Sequence, residues 1–220
     1  VRTGEVEISA EPIVLHGIFG VPGKVSGVVA FAHGSGSGRL SPRNGAVARV
    51  LQQAGFATLL VDLLSESEAQ DRRLVFDIDL LAERLRTCTD WLEEQPETQA
   101  LPAGYFGAST GAGAALVAAA QIGPAIRAVV SRGGRPDLAG DALARVQAPT
   151  LLIVGGADTP VIPLNESALE QLRVPKQLVI VPGATHLFEE SGALEQVADL
   201  ARDWFLRYLS ASRTPDEEPG

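Results

Sequence analysis

From Gly27 onward the chain alternates short apolar runs with segments whose apolar residues recur at helical spacing, and few folds accept that alternation. Gly27–Ala32, Phe56–Val61, Leu101–Phe106, Ile126–Ser131, Thr150–Val154 and Gln177–Val181 are nearly continuous apolar stretches. Such runs fit strands buried on both faces. Between them, Ala46, Val47, Val50, Leu51 and Ala54 stripe a helix opened by Ser41-Pro42 and stopped by Gly55. Serine caps a helix start, and proline fits its first turn. Leu81, Leu85, Cys88 and Leu92 stripe a second helix that begins at Ile78 and is closed by Pro96. Ala112–Gln121 is nearly all alanine and reads as a third. Shorter helices are expected at Leu138–Leu143 and Asn165–Leu172. Leu194, Val197, Ala198, Ala201, Phe205 and Tyr208 mark a closing one. Strands joined through helices imply crossover connections, hence an α/β fold with a mostly parallel sheet and helices on both faces. Glu5–Ser9 and Ile13–Phe19, joined across Ala10-Glu11-Pro12, add an antiparallel start. Ser65–Arg73 is polar and without period, so a surface loop is expected there.

With 220 residues the chain can bury one large core. A single domain over 1–210 is expected, with a fraying polar tail at 211–220. The net charge of -9 argues against a nucleic-acid partner, since phosphate binding needs a basic surface. Cys88 stands alone, so neither an intramolecular disulfide nor a cysteine metal site can form, and its helical stripe makes it a small core residue. Apolar runs are interrupted well short of a bilayer span. A soluble, cytoplasmic protein without a membrane partner is therefore expected. The absence of methionine implies a start that is missing, processed or non-standard.

In parallel sheets, function gathers at the carboxyl ends of strands. Four such ends carry reactive groups: His33-Gly34, Ser109, Asp158 and His186. Ser109 lies in Gly107-Ala108-Ser109-Thr110-Gly111, a G-x-S-x-G pattern between a strand and a helix. That context places the hydroxyl on a sharp turn beside a helix N-terminus. The pattern alone is weak in a chain with 23 glycines, so its value depends on partners. A serine hydroxyl needs a base, an acid to orient the base, and donors for an oxyanion. His186, in Gly183-Ala184-Thr185-His186 after the last strand, supplies the base; an isolated loop histidine would more often be a surface residue. Asp158, directly after a strand, supplies the acid, although an aspartate there often only caps a turn. Asp62 competes, but it precedes the serine and breaks the order Ser, Asp, His. The backbone N–H groups of Thr110 and Ser35 are the expected oxyanion donors, with Gly36 second to Ser35. The Gly34–Gly38 loop lacks the lysine of a P-loop and does not fit G-x-G-x-x-G, so it is a poor nucleotide site. His16 reads as structural and His33 as an organiser of its loop.

Together His33-Gly34, Gly107–Gly111, Asp158 and Gly183–His186 resemble the α/β-hydrolase superfamily, and within it the compact dienelactone-hydrolase-like family. The likeness covers nearly the whole chain. It implies an α/β-hydrolase fold with an eight-stranded sheet and no cap domain, and a triad carried by Ser109, His186 and Asp158. No metal and no organic cofactor are expected. Dienelactone hydrolases proper use a cysteine nucleophile, where this chain has Ser109. Their substrate-carboxylate arginines have no residue-by-residue match. Arg39, Arg132 and Arg135 lie in strand-end loops and are the candidates for substrate contact, against the plainer reading of surface arginines. A serine esterase for small esters is expected. A lactonase or thioesterase with the same triad, and a non-catalytic binding module on the same fold, are the alternatives. Only Arg132–Pro149 separates two strands where a cap is usually inserted, which predicts an open, shallow pocket that favours short acyl groups.

Overall fold

The computed structural model describes residues 1–209; the expected tail at 211–220 lies outside the described residues. Two long strands begin the chain, β1 (Arg2–Ala10) and β2 (Ile13–Val21). The alternating part follows with β3 (Gly27–Ala32), α1 (Pro42–Gln53), β4 (Phe56–Val61), a short α2 (Arg72–Val75) and α3 (Ile78–Glu94). It continues through β5 (Ala103–Ala108), α4 (Thr110–Ile122), β6 (Ile126–Arg132), β7 (Thr150–Gly155), α5 (Ile162–Gln171), β8 (Lys176–Val181) and α6 (Ala193–Leu209). Among the described residues, eight strands form one sheet in the order β1-β2-β4-β3-β5-β6-β7-β8. β1 and β2 pair antiparallel, β2 meets β4 antiparallel, and every later neighbour is parallel. This is the α/β-hydrolase arrangement.

Side chains alternate across the sheet, so each central strand feeds two cores. Val29, Phe31, Phe106, Val130, Leu151 and Ile153 point to the face covered by α1 and α6. Val28, Ala30, Leu59, Tyr105 and Val129 point to the opposite face, where α3 and α4 pack against each other. α4 explains its own composition, since every residue from Thr110 to Ala119 is buried. Helix packing distance depends on the side chains at the contact. Small residues therefore let α4 lie close to the sheet, to α3 and to the segment after β6. Cys88 is fully buried in this core, and burial pushes its thiol up to about 12, which leaves it unreactive.

Ser41 caps α1 through its hydroxyl, which accepts from Asn44 N–H at 3.4 Å. Asp77 caps α3 at 3.0 Å from Leu80 N–H. Two expectations need correction. β5 runs to Ala108 rather than Phe106, because its ladder with β6 continues through Gly107–Ser131 and Ala108–Arg132. The segment between β4 and α3 is not a structureless loop: it holds a 3₁₀ turn at Glu68–Gln70 and then α2. The reason is a clamp that the sequence period does not reveal. Arg84, buried on α3, donates to Glu68 Oε1 at 2.7 Å, to Glu68 Oε2 at 2.8 Å and to Leu63 O at 2.8 Å. Ser65 N–H also donates to Glu68 Oε2 at 2.9 Å. Between β6 and β7 the described chain holds one helical stretch, Pro136–Arg145, broken at Gly140. There is no room in it for a cap.

The Arg84 guanidinium holds the Glu68 carboxyl down to about 2, from an ordinary 4.5. Because the folded value lies below the unfolded one, this pair's share of stability is complete above about pH 4.5 and is lost as pH falls through about 2. We predict that Glu68→Gln costs roughly 3 kcal/mol at neutral pH, since it leaves a buried guanidinium without its carboxylate. In melts repeated down to pH 2 the gap from wild type should close. A gap that stays constant would show that the clamp is not what orders the segment.

Candidate active site

β5 delivers Ser109 to the sheet edge, and the backbone there is unusual. Ser109 has φ 51° and ψ −124°, a left-handed conformation that a side chain rarely takes. Close packing leaves it no alternative. A Cβ on Gly107 would lie 2.5 Å from Ala112 Cα, and one on Gly111 would collide with Ala32 O. A Cβ on Gly34 would sit 2.6 Å from Ser109 Cβ. The ends of β3, β5 and α4 thus approach to backbone contact around one serine. Two hydrogen bonds to the end of β6 and the loop after it brace the turn: Arg135 N–H donates to Ser109 O at 2.9 Å, and Ser109 N–H donates to Arg132 O at 3.4 Å.

The β3 loop is fixed by His33. Its Nε2 accepts from Leu63 N–H at 3.0 Å, so Nδ1 carries the proton and donates to Gly34 O at 2.9 Å. Burial lowers the imidazole's affinity for a second proton, outweighing the Gly34 carbonyl and Asp62. His33 is therefore a neutral strut, in keeping with its reading as a loop organiser. It holds Gly34 against Ser109, and Ser35, Gly36 and Thr110 then line one recess of about 150 Å³. As the first residue of α4, Thr110 has an N–H with no helical carbonyl to bond.

Opposite this loop, Asp158 Oδ2 accepts from His186 Nδ1 at 2.7 Å. Asp158 is a tenth exposed and His186 two-fifths, so the acid is shielded while the imidazole edge reaches solvent. The loops after β7 and β8 that carry them are stitched together. Gly156 N–H donates to Val181 O at 2.8 Å, and Ala157 N–H to Ala184 O at 2.9 Å. Gly133, at φ 50°, lies flat on His186, where a Cβ would come within 3.1 Å of His186 O and 3.5 Å of Nδ1. Its N–H is anchored to Ile153 O at 2.8 Å. One network thus runs from the serine turn through Arg132-Gly133 to the histidine. No hydrogen bond joins Ser109 Oγ to His186 among the described residues. Such contacts commonly tighten only once substrate is bound.

Asp62, the rival acid, is engaged elsewhere. It accepts from Arg39 N–H at 2.6 Å and pairs with the Arg39 guanidinium. His16 is largely exposed, 3.9 Å from Glu7. Of the three arginines proposed for substrate contact, Arg39 is held by Asp62, and Arg135 is held by Asp137 at 2.7 Å. Arg132 departs from its loop reading: it is the last residue of β6 and is buried. Its guanidinium lies 6.0 Å from the Phe188 ring centre and 3.5 Å from Asn44 Oδ1, with Nε unbonded. No carboxylate pairs with it among the described residues. Desolvation, helped by Arg43, lowers it to about 10, so it stays charged at neutral pH. The sequence offered Arg132 as a strand-end loop residue, a candidate for substrate contact or a plain surface arginine. Its burial follows from the strand register, which turns it towards α1.

A sequence profile of the dienelactone hydrolase family matches residues 15–211. The chain belongs to that family. A dienelactone hydrolase from Anabaena variabilis has 59% identity and a TM-score of 0.91, with 94% of this chain and 98% of that one aligned. The esterase Est1E of Butyrivibrio proteoclasticus shares the fold at a TM-score of 0.79 and 17% identity, over 93% of this chain and 98% of its own. In Mycobacterium tuberculosis, a relative with a provisional phosphoribosyl transferase name is 61% identical over 208 residues, 94% of this chain. The chain spans only 47% of that relative's length. It is thus an α/β hydrolase by family and by fold.

Strain at Ser109 should be measurable. A left-handed non-glycine residue costs on the order of 1–3 kcal/mol, and glycine relieves it at a smaller entropic cost. We predict that Ser109→Gly raises stability by about 1 kcal/mol in denaturant melts, whereas Ser109→Ala, which keeps the strain, gains nothing comparable. Equal stabilities for the two variants would mean that the turn is relaxed.

Proposed function

We propose that the protein is a serine hydrolase that cleaves carboxylic esters of small substrates through an acyl-Ser109 intermediate. The strained backbone of Ser109 carries the reading. Strain is retained where it does work, and this turn stands at the carboxyl end of β5 with the β3 loop packed against its side chain. The Asp158–His186 hydrogen bond supports it, because a carboxylate on Nδ1 leaves Nε2 as the free basic nitrogen.

In this mechanism the substrate carbonyl carbon approaches Ser109 Oγ. His186 Nε2 takes the hydroxyl proton as the new C–O bond forms. The carbonyl oxygen becomes an oxyanion facing the N–H groups of Thr110 and Ser35, with the α4 N-terminus adding positive potential. Asp158 steadies the imidazolium that results. Collapse of the tetrahedral species breaks the bond to the leaving oxygen, which receives the proton from His186. Water then attacks the acyl carbon and gives a proton to His186; the bond to Ser109 Oγ breaks, His186 returns the proton to that oxygen, and the acid leaves.

The relation to the Anabaena dienelactone hydrolase favours a lactone as a second substrate form, since a lactone is a cyclic ester opened by the same steps. The phosphoribosyl transferase name belongs to proteins about twice as long as this chain, and the groups gathered here are those of acyl transfer. Arg132 is the candidate contact for an anionic substrate group, since Arg39 and Arg135 already hold carboxylates.

We expect Ser109→Ala to abolish hydrolysis of nitrophenyl esters and labelling by a fluorophosphonate. His186→Ala should be about as severe, because the groups act as a unit. Asp158→Asn should cost less, since the acid orients rather than transfers the proton. Retained activity in Ser109→Ala, or labelling at another residue, would refute the assignment.

A further inference from the structure

The recess beside Ser109 has a floor that nothing in the triad requires. Its rim is Ser35, Gly36 and Thr110, and its walls are Leu64, Ala69, Val75 and Leu81. Leu64, Val75 and Leu81 are buried core residues. We propose that this recess is the acyl-binding pocket, and that it takes an apolar acyl group up to about the size of pentanoyl or benzoyl. The inference rests on Ser109 being the residue acylated.

The orientation follows from three groups around one carbon. The carbonyl oxygen faces Thr110 and Ser35 N–H, and the leaving oxygen must lie within reach of His186, which accepts and returns the proton. Only the acyl substituent is left, and the rim of the recess is formed by those same two amide-bearing residues. Neither His186 nor Ser109 lines it; Thr110, the residue after Ser109, links the recess to the serine. The size follows from the volume: about 150 Å³ is the size of an engineered apolar cavity that holds benzene. Each methylene buried there is worth about fourfold in kcat/KM, up to the point where the floor is reached.

The floor has little freedom to recede. Ala69 belongs to the 3₁₀ turn and Val75 to α2, in the stretch that the Arg84–Glu68 clamp ties to α3. His33, Ser37, Leu64 and Ala69 line both this recess and a neighbouring cleft of about 380 Å³, whose lining also includes His16, Arg39, Asp62 and Glu66. A longer alkyl chain would therefore have to pass between these shared residues into a cleft that carries His16, Arg39, Asp62 and Glu66. The preference for short acyl groups expected from the missing cap would then have its physical limit at Leu64, Val75 and Leu81.

The test is kcat/KM across nitrophenyl esters from acetate to decanoate, for wild type, Leu64→Ala and Ala69→Phe. A crystal structure of the adduct with an n-butyl fluorophosphonate accompanies it. The wild type should rise about fourfold per methylene to pentanoate and then fall. Leu64→Ala should move the maximum to longer chains and Ala69→Phe to acetate. In the adduct, the butyl chain should lie between Leu64 and Val75, a result that needs no variant to fold. If Ser109 carries the phosphonate with its chain outside the recess, or if neither folded variant moves the maximum, the inference fails while the acyl-serine reading stands. If Ser109 takes up no phosphonate and no ester is hydrolysed, both fail.

Discussion

The site depends on a close approach of backbones around Ser109. Three chain segments meet there with no side chain between them, because Gly34, Gly107 and Gly111 remove the atoms that would keep them apart. The serine is forced into a left-handed turn as a result. That turn puts Thr110 N–H at the start of a helix, with the β3 loop packed beside it. A methyl group at any of these glycines would push these segments apart and shift the Ser109 turn.

Around this turn the protein keeps its polar groups partnered where they serve structure. His33 uses both ring nitrogens to fix a loop, Asp62 holds Arg39, and Glu68 holds Arg84. Among the groups left with capacity, two lie beside the site. His186 has one nitrogen bonded to Asp158 and the other free, and Arg132 is buried with an unbonded Nε. A buried cation without a carboxylate is costly, so its position at the end of the strand next to Ser109 is more than a detail of packing.

Most of the architecture was legible because each level of the sequence agreed with the next. Apolar runs marked the buried strands, Ser41 and Gly55 bounded a helix, and the alanine run of α4 matched a helix buried on every side. The positions of Ser109, Asp158 and His186 were legible because strand ends are easy to locate even when strand limits shift by two residues. What escaped was tertiary. Glu68 and Arg84 are far apart in the chain and carry no periodic signal, so the ordered segment that walls the recess looked like a loop. Arg132 looked like a loop residue because an arginine after an apolar run normally marks its end. Here the ladder with β5 carries the strand one residue further.

The central claim is that an ester's acyl group passes through Ser109, and the direct measurement is the mass of the protein during turnover. Wild-type protein mixed with nitrophenyl butyrate, quenched in acid within the first turnover and digested, should show one butyryl group. It should sit on the peptide that contains Ser109 and disappear as deacylation completes. A burst of nitrophenol with no acylated peptide, or with the acyl group on another residue, would contradict the account.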